Sequence, residues 1–152
     1  MEIYIDITKN IINQFDHYFN FTKTGNGLRP NPAIIESEVK YIEFPGELEF
    51  HHFGRAPFKV PITMTSVNPA DTKWFIIHIN LSKIKQEKKV GDQVIHFQRY
   101  LPIGILLYGP DLKIVTQIPP NIESEVATIR FSDTFLSSYF EDWQNIIDRE
   151  KV

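Results

Sequence analysis

Five histidines, two closely spaced pairs of glutamates and one arginine in an apolar stretch are the residues of this chain with most chemistry to offer. Glu47 and Glu49 share one side of an extended segment, as do Glu36 and Glu38. Two carboxylates on one side can divide acid and base roles, but glutamates so spaced ordinarily face solvent. His51 and His52 are adjacent, so on a strand they point to opposite sides and cannot ligate one metal together. His52 shares its side with Leu48 and Phe50, which aims it inward. His78 falls with Trp74 and Ile76, opposite the apolar set Phe75, Ile77, Ile79 and Leu81, which reads as the core side. A single inward histidine is ordinarily a hydrogen-bonded core residue, because a zinc or iron site draws on three or four donors.

Arg99 is the most informative single position. Extended from Ile95 to Leu107, the chain lines up Ile95, Phe97, Arg99, Leu101, Ile103, Ile105 and Leu107 on one side. A guanidinium in such company needs an anionic partner. One reading is a pocket arginine gripping a ligand carboxylate or phosphate through paired hydrogen bonds. The others are an internal acid, or a bulge before Pro102 that turns the side chain outward. The lysines at 83, 85, 88 and 89, interrupted by Glu87, lie just before Gly91-Asp92 and read as a solvated hairpin tip. Catalytic signatures are absent: there is no Gly-x-Ser-x-Gly elbow, no glycine-rich phosphate loop and no His-Glu-x-x-His pair. No catalytic residue, metal ligand set or cofactor is therefore expected.

The elements that must carry these residues follow from punctuation. Ten prolines fall between Pro30 and Pro120 and none outside, which forbids long helices there. Short apolar or alternating runs at Val39–Phe44, Leu48–Phe53, Trp74–Leu81, Val94–Leu101, Ile103–Tyr108, Leu112–Ile118 and Val126–Phe131 predict strands of a sandwich or barrel. At the N-terminus Ile11, Ile12, Phe15, Tyr18 and Phe19 recur at helical spacing, with Thr8 as cap. At the C-terminus Phe135, Leu136, Tyr139, Phe140, Trp143, Ile146 and Ile147 form a wide apolar stripe, with Ser132 or Asp133 as cap. This second helix is expected from about Thr134 to Asp148 and reaches the last residues without a terminating Gly or Pro, so a longer natural protein is expected. The 152 residues divide into an N-terminal helical arm (1–25), a β-barrel (26–132) and the C-terminal helix (133–152), all one domain.

Composition narrows the function classes. Nineteen acidic residues against sixteen basic ones leave a net charge of −3, which argues against a nucleic-acid surface. No run approaches the roughly 20 apolar residues needed to cross a bilayer. The start lacks the basic and apolar regions of a signal peptide, and there is no cysteine. A cytoplasmic location is the expectation.

The succession Trp74–Ser82, Gly91-Asp92, Leu101–Pro110, Ile118–Pro120 and Ile129–Ser132 resembles the sensor half of AraC-type transcription regulators. That resemblance implies a mainly β, cupin-like jelly-roll barrel followed by a dimerising helix, with DNA bound only through a separate region of two helix-turn-helix units. The metal motifs of cupins can be tried residue by residue. Gly46 and His52 match the start of the first, but Gly54 stands where its second histidine belongs. Pro102-Ile103-Gly104 matches the second, but Leu107 replaces its histidine. A metal-free barrel binding a small-molecule effector is the expectation, with His52 and Arg99 as polar groups of the pocket and Phe50 and Trp74 as its walls. Phe140, Trp143 and Ile147 are expected to project past the barrel into a homodimer interface. The alternatives are a free-standing metallocupin isomerase or dioxygenase, and a filled barrel that only mediates protein association.

Overall fold

The computed structural model describes residues 1–83, 85–97 and 104–139. In chain order these form β1 (Glu2–Asp6), α1 (Ile11–Phe19), β2 (Thr22–Lys23), β3 (Leu28–Arg29), β4 (Val39–Phe44), β5 (Leu48–Pro57), β6 (Ile62–Asn68) and β7 (Trp74–Asn80). They continue with β8 (Gln86–Val90), β9 (Gln93–Phe97), β10 (Ile105–Tyr108), β11 (Leu112–Ile118), β12 (Glu123–Ser132) and α2 (Asp133–Tyr139).

The strands make two sheets, ordered β1-β6-β11-β8-β9 and β10-β7-β12-β5-β4-β3-β2. From β5 onward, eight strands divide equally between them, and strands far apart in sequence lie side by side. This is a jelly roll, the double-sheet way of limiting open edges. β1 extends the first sheet by parallel pairing with β6, and β4, β3 and β2 extend the second by antiparallel pairing.

Local chemistry accounts for most elements. In β11 Ile114, Thr116 and Ile118 are buried while Lys113 and Gln117 face out, the period-2 alternation of a strand with one covered side. Gly91, with φ of +58°, opens the two-residue turn that joins β8 to β9, a conformation glycine adopts without a Cβ clash. α1 is capped by Asn10, whose side chain accepts from the Asn13 amide at 2.8 Å, and it ends on Asn20 in the left-handed region. Thr8 is not the cap; its hydroxyl and amide both donate to Asp6. Ile11, Ile12, Phe15 and Phe19 bury one side of this helix, and each such side chain contributes roughly 1.5–3 kcal/mol. Phe15 meets Phe19 and Phe53, so α1 plugs one end of the roll with aromatic rings. Ser132 caps α2 by accepting from the Phe135 amide at 3.0 Å.

Three expectations need correction. The polar segment 86–90 is a strand, not a hairpin tip: Gln86 and Lys88 are buried and alternate with exposed Glu87 and Lys89. The core side of β7 carries Trp74 and Ile76, and Phe75, Ile77 and Ile79 face outward. On β5 the inward residues are Glu49, His51 and Phe53, so Phe50 and His52 point out. The reason is that the second sheet carries polar residues inside, among them Glu49, His51, His78, Thr128 and Arg130, and apolar ones outside. Its outer side carries a row running Ile42, Phe50, Ile129, Ile77 and Leu107 across five strands, and alternation alone cannot say which side of such a sheet is the core.

Candidate functional site

Two rows of polar side chains face each other inside the roll. On the second sheet Thr128 of β12 lies level with His51 of β5 on one side and His78 of β7 on the other. On the first sheet Thr116 of β11 lies level with Lys88 of β8 and Met64 of β6. Gln86, Ser124, Ser66 and Tyr108 complete the polar part of a cavity of about 60 Å³ between the sheets. Ile11, Phe15 and Phe19 of α1, with Phe58, Ile62 and Ile118, form its apolar part.

These polar groups lie out of solvent: Gln86 is 0% exposed, Lys88 2%, His51 3% and Thr116 4%. The Lys88 ammonium donates to the Thr116 hydroxyl at 2.8 Å. The Gln86 amide donates to Ser124 at a long 3.4 Å. Two buried polar atoms of the lining, His51 Nδ1 and Gln86 Oε1, have no hydrogen-bond partner among the described residues. A buried polar atom without a partner ordinarily costs about 1–3 kcal/mol, so two in one cavity call for an explanation.

Electrostatics follow from burial. Desolvation pushes His51 down to about 3, with His52 beside it adding repulsion. Desolvation also holds His78 well below the usual imidazole range, helped by the positive charge of Lys88 and then by His51. Both rings are therefore neutral at pH 7. Burial pushes the Lys88 amine down to about 7. Burial likewise raises the Tyr108 phenol, which stays protonated and able to donate. No carboxylate lines the cavity among the described residues, and no three His, Asp or Glu side chains there could hold a metal together. Among the described residues the arrangement offers one cation, hydroxyl groups, neutral imidazoles and an amide oxygen beside an apolar wall, which suits binding of a polar ligand.

Next to this cavity lies a second polar group of a different kind. Glu49, 1% exposed, accepts from the amides of Ile11 and Ile12 at 2.9–3.0 Å and so closes the N-terminus of α1. Arg130 reaches Glu49 at 3.5 Å, donates to the Ile7 carbonyl at 2.6 Å, and lies 3.5 Å over the Trp74 ring. Burial pushes the Glu49 carboxyl up, against the pull of the two amides and Arg130. Burial also lowers Arg130, with Glu49 opposing. Glu49 is thus an internal ion-pair partner and helix cap, where its spacing from Glu47 had read as a solvated pair.

Three of the four expected pocket residues, His52, Phe50 and Trp74, lie outside the lining of this cavity. His52 lies 3.0 Å from Glu125, which also accepts from Arg55 at 3.2 Å. Slight burial alone would raise Glu125, but hydrogen bonds from His52 and Arg55 outweigh it and lower it. Phe50 lies on that same outer side, paired across the sheet with Ile42 and Ile129. Trp74 is 8% exposed and packs under Arg130, outside the cavity lining. Arg99 lies outside the described residues, as do Phe140, Trp143 and Ile147. Sequence reasoning missed His51, Gln86 and Lys88. The available signal was the turn at Gly91-Asp92, which requires a partner strand directly before it and so a buried side at 86 and 88.

No protein-family profile matches this chain, and no curated protein matches it either. Among solved structures it is similar to the Schizosaccharomyces pombe Cnp3 cupin domain, with TM-score 0.47 and 9% identity over 73% of each chain. A cupin protein from Bacteroides fragilis gives TM-score 0.46 and 13% identity over 75% of this chain and 86% of that one. The cupin domain of an XRE-family transcriptional regulator from Enterobacter cloacae gives 0.43 and 9%, over 62% and 95%. Likenesses this distant carry no weight for function, and the jelly-roll assignment rests on the strand order itself.

Proposed function

We propose that this jelly-roll domain is a non-catalytic small-molecule sensor whose ligand sits in the internal cavity. The observation that carries the reading is a pair of buried polar atoms in the cavity wall, His51 Nδ1 and Gln86 Oε1, that have no hydrogen-bond partner among the described residues. Natural interiors seldom keep such atoms unless water or a ligand satisfies them. The sequence resemblance over residues 74–132 adds that the sensor serves an AraC-type regulator, biasing a DNA-binding region that the ligand itself does not touch. A signal then requires the bound and free states to differ in affinity for that ligand.

Self-association belongs to the same proposal. The outer side of the second sheet leaves Ile42, Phe44, Ile105 and Leu107 each more than half exposed among the described residues, and apolar area of that extent usually marks an interface. α2 begins directly after β12 of this sheet. Light scattering at micromolar concentration is expected to give a dimer that Trp143→Ala weakens; a monomer unaffected by that change removes the dimer claim.

The binding reading is tested by a thermal-shift screen of small polar metabolites against the purified chain. A hit at 100 times its Kd stabilises by about 2.7 kcal/mol, a shift of several degrees for a domain of this size. A hit abolished by His51→Phe supports the cavity, whereas hits insensitive to it move the site elsewhere. Stoichiometric zinc, iron or nickel in protein purified without added metal favours the metallocupin alternative instead. Titration of DNA into the isolated chain at physiological salt is expected to show no binding.

A further inference from the structure

Two side chains of the cavity wall have hydrogen-bonding capacity that the described residues leave unused. Gln86 is 0% exposed and His51 3%, and they enter the cavity from different sheets, on β8 and β5. The Gln86 amide nitrogen reaches Ser124 at 3.4 Å, while its oxygen meets no donor among the described residues, and His51 Nδ1 likewise meets no partner there. The types of these two atoms restrict what can satisfy them. An amide oxygen only accepts, so Gln86 calls for an N–H or O–H donor. Burial keeps the His51 ring neutral at pH 7, so Nδ1 donates or accepts according to which ring nitrogen carries the proton. A ligand group that both donates and accepts serves either form.

Charge of either sign is disfavoured at these two atoms. An anion would bring acceptor oxygens toward the Gln86 oxygen, itself an acceptor. A cation would find no carboxylate in the lining among the described residues. An ion short of partners in an enclosed site costs far more than a neutral group does. Beyond the polar groups the wall is Phe15, Phe58 and Ile62, which suits an apolar body. We infer that the cavity ligand is a small neutral molecule with a carboxamide or hydroxyl head on an apolar body, the head donating to Gln86 and completing His51 Nδ1. The inference rests on the reading that the cavity is the binding site, and it names the chemical class that site takes. Such a head replaces water at the two atoms bond for bond, and the apolar body adds burial that water lacks.

The test adds acetamide, 2-propanol, acetone and acetate, four molecules of nearly the same shape, to the intact ¹⁵N-labelled chain. Acetamide and 2-propanol carry a donor and an acceptor, acetone an acceptor alone, and acetate a negative charge. Molecules this small bind at roughly tens of micromolar at best, so binding is read by NMR titration. The better binder of acetamide and 2-propanol is expected to move the His51 ring nitrogen and Gln86 side-chain amide signals. It is also expected to bind about tenfold more tightly than acetone or acetate, the range set by leaving one buried acceptor unpaired. Gln86→Leu is expected to bring acetone level with it, and the wild-type comparison decides if that variant does not fold. Acetone binding as tightly as both donors, acetate binding tightest, or a donor preference that survives Gln86→Leu overturns the assignment and leaves the cavity reading standing. If none of the four moves a resonance of a cavity-lining residue, both fall.

Discussion

Glu49 and His51 stand two residues apart on the inward side of β5, yet their surroundings differ in kind. Glu49 is saturated: two helix amides and Arg130 converge on its oxygens, and Arg130 is itself held by the Ile7 carbonyl and the Trp74 ring. His51 keeps a buried ring nitrogen without a partner among the described residues, with Phe15 and Phe53 set edge-on against the ring. One group closes an internal account of charges and hydrogen bonds and locks α1 to the sheets. The other leaves that account open, together with Gln86 and beside the cation Lys88. Polar burial is therefore not a site signature on its own. What separates structure from site is whether the protein supplies every partner.

The contrast can be broken by mutation, most forcefully at the closed group. Glu49→Gln strands the Arg130 cation and weakens the cap of α1, and is expected to lower stability by about 3–5 kcal/mol. Urea denaturation reads this directly, and a loss below about 1 kcal/mol would erase the distinction drawn here.

The next largest effect belongs to the open group and appears as pH dependence. Lys88 has its folded pKa near 7 against an unfolded value near 10.5. Between those values the unfolded chain binds more protons, so stability rises with pH, by about 2 kcal/mol from pH 7 to pH 9. His51, near 3 when folded and near 6.5 when unfolded, has the same sign in its own window: stability falls as pH drops from 6.5 toward 3. His78 faces Lys88 and His51 and adds to that acid loss. Chemical denaturation at several pH values checks both windows, and a flat profile from pH 7 to 9 would mean that Lys88 is solvated.

Removing the open group's charge sharpens the comparison in the opposite direction. Lys88→Met is expected to stabilise the domain at pH 6 by about 1–2 kcal/mol and to flatten its profile above pH 7, while reducing ligand binding. The smallest effect is expected outside. His52→Ala loses one partly exposed contact with Glu125 and should change stability by less than about 1 kcal/mol, with ligand binding unaltered.

Much of this architecture was legible in the residues. The expected strands Val39–Phe44 and Leu112–Ile118 coincide with β4 and β11, because alternation there is bounded by turn residues. The apolar spacing of α1, the Ser132 cap and the Gly91-Asp92 turn are local chemistry, and they stand where the sequence puts them. β8 left only an indirect trace, the Gly91-Asp92 turn that needs a partner strand before it, because Gln-Glu-Lys-Lys-Val carries no apolar alternation. β1 is held by parallel pairing with a segment some sixty residues away, a contact without local trace.

The sequence by itself determined where the chain must extend, turn and coil, since those choices depend on neighbours a few residues apart. Which side of β5 and β7 became the interior was decided only in the tertiary structure. A strand's side-chain period of two specifies two sides without labelling them, and here the outer side of the second sheet is at least as apolar as the inner. The label came from the first sheet and α1 closing over one side, which buried His51, His78 and Lys88 together and left His52 and Phe50 outside.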